Sequence, residues 1–206
     1  METFNRKNHW EDIYGSRAIT EVSWYESKPL TSITLISEAK LSKKAKIIDV
    51  GGGDGFLVDC LLDLGYKNLT VLDISAKAIE RAKIRLKNRA SQVQWIISDI
   101  TAFHPSQKFD LWHDRAAFHF LTTDEEINTY IEIASEAISS GGTLILGTFS
   151  LSGPLKCSGI EIKRYDVNMI HQKFQNTFVL ENSFQIDHPT PFGTEQNFLF
   201  CSFVRR

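Results

Sequence analysis

The chain alternates short runs of apolar and β-branched residues with longer segments in which apolar positions recur at helical spacing. Because parallel strands must be joined by crossovers, this alternation predicts an α/β fold built on a parallel sheet. The predicted parallel strands occupy residues 45–50, 68–73, 93–98, 109–113 and 143–149. The predicted helices occupy residues 31–41, 56–64, 76–87, 124–138 and 165–174.

Small and polar residues mark the ends of two of these helices. Ser75 immediately precedes the segment 76–87 and is expected to cap it. Gly141 and Gly142 follow the segment 124–138 and are expected to end that helix. These boundaries place each helix between two successive strands.

The C-terminal part of the chain breaks the alternation. Residues 177–187 and 196–205 both have strand character. The linker between them contains Pro189, Pro191 and Gly193, which favour a turn over a helical crossover. We therefore expect these two strands to pair antiparallel.

The N-terminal segment is rich in aromatic residues. Before the predicted helix at 31–41, these are Phe4, Trp10, Tyr14, Trp24 and Tyr25. We interpret residues 1–41 as a lid and helix appended to a core of residues 42–206. The length of the chain requires no second domain, so residues 1–206 are expected to form one.

Composition and charge narrow the class of protein. Of the 206 residues, 42% are hydrophobic and 23% are charged, which is ordinary for a globular protein. The formal net charge of −2 provides no broad basic surface, so we expect no nucleic-acid partner. The chain shows neither an apolar signal core nor an apolar run of membrane-spanning length, so we expect a cytoplasmic protein without a membrane partner.

The cysteines indicate neither a disulfide nor a zinc site. Cys60, Cys157 and Cys201 are widely spaced and include no Cys-x-x-Cys pair. We expect reduced thiols and no metal cofactor.

The most informative segment joins the first predicted strand to the helix that follows. Residues 49–55 read Asp-Val-Gly-Gly-Gly-Asp-Gly. Because Gly51, Gly52 and Gly53 carry no Cβ, a ligand can approach the backbone closely there. A nicotinamide-binding loop would have a third glycine at Phe56, and no Gly-Lys-Ser/Thr of a phosphate loop follows.

Acidic residues end two neighbouring strands. Asp73 ends the second predicted strand, 24 positions after Asp49, where an open parallel sheet presents a carboxylate to a ribose diol. Asp99 ends the third and is placed to accept from an adenine amino group, with Ile74 and Ile100 on either side of the ring. A single aspartate is more often a solvated strand end or a helix cap, but the coincidence with the glycine loop favours a nucleotide site.

These features together resemble the class I S-adenosylmethionine (SAM)-dependent methyltransferases. The likeness runs over residues 47–204 and includes the Asp-x-Gly-x-Gly-x-Gly motif, the acidic strand ends and the closing hairpin. The resemblance implies a Rossmann-like, doubly wound, mostly parallel seven-stranded sheet whose last strand is antiparallel. It also implies that Gly51 and Gly53 lie under the methionine part of SAM, Asp73 binds the ribose and Asp99 binds the adenine.

Candidate residues for the methyl acceptor follow the fourth strand. Their sequence resembles the Asp-Arg-Gly/Ala segment of thiopurine-type S-methyltransferases, although Ala116 stands where those enzymes usually have glycine. The resemblance implies that Arg115 orients the substrate and that Asp114 shapes the pocket, while a salt bridge is the alternative role for Arg115. His113 and His119 are candidates for relaying a proton, although packing is the commoner role of a lone histidine.

Two further groups of residues complete the predicted site. Trp10 and Trp24 are expected near it, because a sulfonium is attracted to aromatic faces. Cys157, after the fifth strand, is either a transient methyl carrier or an inert thiol.

The predicted SAM site comprises Trp10, Asp49, Gly51, Gly52, Gly53, Asp73, Ile74, Asp99, Ile100 and His113. The candidate catalytic residues are His113, Asp114 and Arg115, and the candidate substrate contacts are Trp24, Arg115 and His119.

The sequence therefore predicts transfer of a methyl group from SAM to a small-molecule acceptor, at sulfur or another soft atom. A protein lysine methyltransferase is the first alternative, because several such enzymes are similarly small. A SAM-binding module without catalysis is the second.

Overall fold

The fold is a central β-sheet with helices on both faces. A computed structural model describes residues 4–206, so residues 1–3 of the predicted lid lie outside the described part of the chain. The helices are α1 (Arg6–Ser16), α2 (Leu30–Glu38), α3 (Leu57–Asp63), α4 (Ala76–Leu86), α5 (Asp124–Ala137) and α6 (Val167–Phe174). The strands are β1 (Lys46–Val50), β2 (Asn68–Asp73), β3 (Val93–Ile97), β4 (Phe109–Arg115), β5 (Ile138–Phe149), β6 (Lys156–Cys157), β7 (Ile160–Glu161), β8 (Phe178–Pro189) and β9 (Glu195–Arg205).

Seven strands form the sheet, in the order β3-β2-β1-β4-β5-β9-β8. The pairs among β1 to β5 are parallel, whereas β9 is antiparallel to both β5 and β8. Strands β6 and β7 form a separate short hairpin. This topology confirms the predicted Rossmann-like sheet with an antiparallel last strand. Across residues 4–206, each helix is too short or too polar to cross a membrane.

The central strands are buried on both faces of the sheet. In β1, Ile47 packs among residues of α2, α3 and α4, whereas Ile48 belongs to the opposite core under α5 and α6. In β4, Leu111 and Trp112 divide between the two cores in the same way. Because successive side chains of a strand point to opposite faces, a strand covered on both sides reads as a continuous apolar run.

Hydroxyl residues begin two of the crossover helices. The Ser75 side chain accepts a hydrogen bond from the backbone N–H of Ala78 and caps α4, as predicted. Thr123 and Glu126 form a reciprocal capping box at the start of α5. These caps fix where each helix leaves the carboxyl edge of the sheet.

The end of α5 corrects the prediction for Gly141 and Gly142. The helix stops at Ala137, and both glycines lie inside β5, which begins at Ile138. Ile138 is buried and pairs with Phe109 of β4, so its β-branched side chain is better placed in an extended backbone. Gly142 permits a tight approach within the strand, because a Cβ there would lie 2.8 Å from Ile138 Cγ2.

The sheet reverses its winding direction between β1 and β4. These strands are neighbours, but β1 is followed by a strand on one side and β4 by a strand on the other. The connections that leave their carboxyl ends therefore diverge and open a crevice, which is where open α/β sheets bind ligands.

A buried chain of hydrogen bonds ties β4 to α5. The Tyr130 hydroxyl donates to Asp114 Oδ2 at 2.8 Å, and the Trp112 indole N–H donates to Tyr130 Oη at 2.9 Å. Asp114 Oδ1 accepts from the backbone N–H groups of Ala117 and Phe118 at 2.9 and 3.2 Å. Burial raises the pKa of Asp114 to about 6, although these hydrogen bonds oppose the shift. Asp114 therefore holds the turn after β4, and the catalytic role predicted for it stays a prediction.

We expect Tyr130→Phe to lower the free energy of unfolding by about 2 kcal/mol, because it leaves the buried Asp114 oxygen and Trp112 N–H without partners. Urea denaturation followed by circular dichroism measures the change. Tyr25→Phe is the control, since the Tyr25 hydroxyl forms no hydrogen bond with residues 4–206, and it should cost less than about 0.5 kcal/mol. Equal losses in the two variants would contradict the proposed role of the Tyr130 hydroxyl.

Candidate functional site

A cavity that is partly open to solvent lies at the carboxyl ends of β1 to β4. Gly51 follows β1 there, Asp73 and Ile74 come from the end of β2, and Asp99 and Ile100 follow β3. The structure thus brings the glycine loop, both acidic strand ends and the two isoleucines together around one space.

The glycine loop adopts a backbone conformation that favours glycine, and neighbouring side chains approach it too closely for a Cβ. Gly51 and Gly53 have φ values of +67° and +52°, in the left-handed region. A Cβ on Gly51 would lie 2.6 Å from Ala117 Cβ, and one on Gly53 would lie 2.5 Å from Tyr14 Oη. The bare backbone therefore allows the turn after β4 and the lid to close on this loop.

A buried pair lies beneath the loop. His113 Nδ1 is 2.7 Å from Asp49 Oδ1, and His113 Nε2 is 2.8 Å from Ser32 Oγ in α2. A Cβ on Gly52 would lie 2.6 Å from Asp49 Oδ2, so Gly52 packs against this pair. These residues border a smaller cavity beside the main one. Both ring nitrogens of His113 thus have partners within the protein, and the catalytic and cofactor-binding roles predicted for it stay predictions.

Asp73 is the most perturbed carboxyl group of the main cavity. Its Oδ1 accepts from the Ser75 backbone N–H at 2.8 Å, and the Gly53 N–H also donates to the carboxylate. Burial raises the pKa of Asp73 to about 7, the carboxylates of Asp54 and Asp49 add to the shift, and the backbone hydrogen bonds oppose it. A ligand that donates hydrogen bonds to this carboxylate would favour its ionised form.

Asp99 combines a structural role with a place in the cavity. Its Oδ1 accepts from the backbone N–H and the hydroxyl of Thr101, at 2.9 and 2.8 Å. Its Oδ2 accepts from Arg6 Nη1 of the lid at 3.3 Å. An ionised carboxylate offers about four acceptor sites, so these contacts leave capacity for a ligand donor.

The lid helix α1 covers the cavity and is joined to the core by several hydrogen bonds. Trp10 and Tyr14 line the space. Glu11 accepts from the backbone N–H groups of Ala76 and Lys77 at 2.8 and 3.1 Å, at the N-terminus of α4. A carboxylate is favoured at a helix N-terminus, because the unpaired N–H groups there carry partial positive charge.

Two arginines complete the attachment of the lid. Arg6 pairs with Asp99 and Glu126 of the core. Arg81 of α4 donates to the backbone oxygens of Tyr14 and Arg17, at 2.9 Å each. Sequence reasoning missed these contacts, because a polar residue near the N-terminus carries no local sign of a partner far along the chain.

The opposite end of the cavity is mainly apolar. Its lining there consists of Trp24, Phe120, Phe149, Phe198, Arg115, Cys157 and Gln196. Arg115 Nη1 donates to the Trp24 backbone oxygen at 3.3 Å, and its guanidinium carbon lies 5.0 Å from the centre of the Phe198 ring. Arg115 and Trp24 therefore both line the cavity, and the guanidinium contacts the Trp24 backbone.

Glu26, which the sequence analysis did not identify, sets the charge around Arg115. Its Oε1 lies 3.5 Å from Arg115 Nη2 and 3.0 Å from His188 Nδ1. Burial favours a raised pKa for Glu26, but the hydrogen bond from His188 and the charge of Arg115 outweigh it and lower the pKa. The lid loop thus supplies a carboxylate that partly balances the buried guanidinium.

Two other residues predicted near the acceptor are electrically neutral. His119 is fully buried and stacks on Phe149, with ring centroids 4.5 Å apart. Burial, and then the charge of Arg115, lowers the pKa of His119 to about 3. His119 lies outside the lining of the main cavity, and the substrate contact predicted for it stays a prediction. Burial raises the pKa of Cys157 to about 11, which favours the inert thiol over the methyl carrier.

The methyltransferase domain family matches residues 47–142, which include the glycine loop, both acidic strand ends and Arg115. This match confirms the resemblance predicted from the sequence. An eEF1A lysine and N-terminal methyltransferase from Mus musculus is 25% identical over 145 residues, 70% of this chain and 20% of that protein. Nodulation protein S from Rhizobium tropici is 26% identical over 124 residues, 60% of this chain and 51% of that protein. The chain thus spans about a fifth of the first relative's length and about half of the second's.

Solved structures show the same fold. The N-methyltransferase NodS from Bradyrhizobium japonicum WM9, in complex with S-adenosyl-l-homocysteine (SAH), has a TM-score of 0.73 at 17% identity and covers 98% of this chain and 99% of that one. A protein studied for the conversion of a disulfide bond into a thioacetal group during echinomycin biosynthesis has a TM-score of 0.80 at 16% identity, with 98% and 92% covered.

We expect Gly51→Ala to destabilise the protein by about 1 to 3 kcal/mol more than Gly193→Ala. The two glycines have similar φ values, +67° and +74°, but a Cβ on Gly193 meets open space. Thermal and urea denaturation measure the difference. Adding Ala117→Gly to Gly51→Ala should restore most of the excess loss, because it removes the atom that the new Cβ meets. An excess that persists in the double variant would argue against that contact.

Proposed function

We propose that this chain, whose residues 47–142 match the methyltransferase domain family, transfers a methyl group from SAM to a small-molecule acceptor. The observation that carries the proposal is the convergence of Gly51, Asp73 and Asp99 on one cavity at the winding reversal of the sheet. The NodS structure in complex with SAH supports SAM as the cofactor, because it has the same fold.

The chemistry of the cavity suits SAM. The Asp73 carboxylate would accept hydrogen bonds from the ribose hydroxyls, and Asp99 would accept from the adenine amino group. Ile74 and Ile100 would contact the adenine ring, and the bare backbone at Gly51 would adjoin the methionine part. When bound, SAM supplies an electrophilic methyl group on a sulfonium.

The lid would exclude water and contribute aromatic faces. Trp10 lies 5.0 Å from Phe120 and 5.7 Å from Trp24, measured between ring centroids, so the rings form one cluster over the space. Aromatic faces attract a cation more strongly when water is excluded. Glu11 and Arg6 join this lid to the core and would hold the aromatic cluster over the bound cofactor.

Among the described residues that line the acceptor end of the cavity, none is a carboxylate or an imidazole, and the Glu26 carboxylate beside Arg115 is paired with Arg115 and His188. Arg115 is a cation, the raised pKa of Cys157 keeps it a thiol, and the pKa of His119 lies at about 3. Catalysis would therefore depend on positioning, which contributes roughly 7–11 kcal/mol in favourable systems. Of the candidate catalytic residues, Arg115 alone lines this cavity, and we propose it as the residue that orients the acceptor.

A small molecule is favoured over a protein lysine as the acceptor. The relatives include a lysine methyltransferase, so both classes need testing. The guanidinium of Arg115 would repel a lysine ammonium, and its partner Glu26 is already bonded to His188.

We further propose that residues 1–206 act as a single domain in the cytoplasm, which agrees with Cys60, Cys157 and Cys201 all being free thiols.

We expect the Kd for SAH to be about tenfold higher at pH 6 than at pH 8, from the relation of proton binding to ligand binding. Burial raises the pKa of Asp73 to about 7, so the carboxylate that accepts from the ribose is mostly ionised above this value and mostly protonated below it. Isothermal titration calorimetry measures the Kd. Asp73→Asn should bind SAH more weakly and lose this dependence on pH. Absence of binding at both pH values would refute the proposed function.

Incubation of a cell extract with the protein and SAM carrying a labelled methyl group distinguishes the two acceptor classes. We expect label in the small-molecule fraction, because Arg115 disfavours a cationic acceptor. Asp73→Asn is the control and should lower the labelling with its weaker cofactor binding. A labelled protein band that depends on Asp73 would favour the lysine alternative instead.

A further inference from the structure

Three basic residues form a stripe along helix α4. Lys77, Arg81 and Arg85 follow one another at intervals of four positions, so their side chains leave the same side of the helix. Lys77 Nζ donates to the Glu11 backbone oxygen in α1 at 3.1 Å, and Arg85 Nη2 donates to the Gly55 backbone oxygen at 2.8 Å. The stripe thus connects α4 to the lid helix and to the glycine loop, although its own residues lie outside the lining of the main cavity.

Arg81, in the middle of the stripe, contacts both segments at once. Its Nη1 donates to the backbone oxygens of Tyr14 and Arg17, at 2.9 Å each. Its Nη2 lies 3.0 Å from Asp54 Oδ2 in the glycine loop. The other two residues of the stripe each reach one of the two segments, so a single guanidinium joins the lid to the loop.

At the lid, Arg81 binds the end of a helix. Tyr14 lies in the last turn of α1, and Arg17 directly follows the helix. Carbonyl groups in a last turn lack partners within the helix and carry partial negative charge, so a cation stabilises them. The Arg81 guanidinium carbon also lies 6.0 Å from the centre of the Tyr14 ring. Arg81 therefore holds the turn that carries Tyr14, a residue of the cavity lining.

At the loop, Arg81 compensates a buried carboxylate. Burial raises the pKa of Asp54, whereas the charges of Arg81 and then of Arg85 oppose this shift. Among residues 4–206, Asp54 Oδ2 has no aligned hydrogen-bond donor, so its contact with Arg81 is an ion pair. A buried carboxylate is costly without a compensating cation. The conformation of the loop around Asp54 therefore depends on Arg81.

The two segments that Arg81 holds meet at Tyr14 and Gly53. A Cβ on Gly53 would lie 2.5 Å from Tyr14 Oη and 3.3 Å from Asp73 Oδ2. Burial raises the pKa of Tyr14, and the charges of Asp73 and Asp54 add to the shift, so its hydroxyl remains a donor at neutral pH. A displacement of α1 relative to the loop would therefore change the cavity beside the carboxylate proposed to bind the ribose.

We propose that Arg81 is a positioning residue for SAM, which holds the end of α1 and Asp54 with one guanidinium and so sets Tyr14 against the glycine loop around the cofactor. This inference rests on the proposed function, because it requires SAM to bind in the main cavity. Arg81 lies outside the lining of that cavity, so its effect on affinity passes through α1 and the loop.

Substitution of Arg81 tests this role through the Kd for SAH, measured by isothermal titration calorimetry. Arg81→Met removes the charge and the hydrogen bonds, and we expect its Kd to be about tenfold higher. Arg81→Lys keeps a cation for Asp54 but lacks the planar fork, so we expect its Kd to rise by about fivefold with little change in Tm. Arg89→Met is the matched control, because Arg89 contacts α3 instead of the lid, and its Kd should stay within about twofold of the wild-type value.

A double-mutant cycle with Asp54→Asn separates positioning from charge compensation. Arg81→Met should lower the Tm by about 4 °C in the wild-type background, and by less than half of this once Asp54→Asn has removed the buried carboxylate. The rise in the Kd for SAH on Arg81→Met should instead stay above about fivefold in both backgrounds, because the hydrogen bonds to Tyr14 and Arg17 are lost in each.

Hydrogen–deuterium exchange at saturating SAH measures the link between the two segments. In the wild-type protein, we expect SAH to slow exchange both in peptides from α1 and in peptides from residues 49–60. In Arg81→Met, the slowing in residues 49–60 should remain, whereas the slowing in α1 should be lost.

The outcomes separate this inference from the proposed function. Absence of SAH binding by the folded wild-type protein contradicts the proposed function itself. If SAH binds, the role of Arg81 is overturned by a Kd for Arg81→Met that equals that of Arg89→Met, by equal Kd values for Asp54→Asn with and without Arg81→Met, or by unchanged slowing of exchange in α1. Circular dichroism shows whether each variant folds. If Arg81→Met does not fold, a wild-type Kd for Arg81→Lys overturns the inference, and a raised Kd at an unchanged Tm supports it.

Discussion

The candidate site depends on the close approach of Gly51 and Ala117, which belong to the connections that leave β1 and β4. At Gly51 the backbone is left-handed and a Cβ would come within 2.6 Å of Ala117 Cβ. This contact lies where the sheet reverses its winding direction. The two connections diverge beyond it, and the space between them is where open α/β sheets bind ligands. Asp114 supports the same turn from below by accepting the Ala117 N–H. The turn after β4 thus links the hydrogen bonds beneath the cavity to the shape of the cavity itself.

Charge is distributed unequally along the cavity. Asp73 and Asp99 lie at one end, where burial raises the pKa of Asp73 to about 7 and Arg6 pairs with Asp99, and the Arg115 guanidinium lies at the other, with Glu26 beside it. The carboxylates suit a methyl donor such as SAM, whose ribose and adenine carry hydrogen-bond donors. The guanidinium at the other end suits a methyl acceptor without positive charge. Because isolated charges are costly to bury, Arg115 and Glu26 depend on one another for their place in the apolar region.

The lid connects these two ends. Arg6 reaches Asp99 at the carboxylate end, and the loop after α1 supplies Glu26 to Arg115 at the other. Most of these attachments are hydrogen bonds of partly exposed groups, whose net contribution to stability is modest, about 0.5–1.5 kcal/mol each. The same segment therefore contributes both to the surroundings of the predicted cofactor site and to the charge near the acceptor end.

Local pattern in the sequence was sufficient to determine the parallel sheet, the Ser75 cap, the antiparallel closing hairpin and the glycine loop, because each follows from residues that are neighbours along the chain. The hydrogen-bond partners of His113 and Asp114 were decided only in the tertiary structure. His113 is occupied by Asp49 and Ser32, and Asp114 by Tyr130, all from other elements of the fold. Contacts between distant segments of the chain set the hydrogen-bond partners and the burial of a side chain. They therefore decide which of its polar atoms can still contact a ligand.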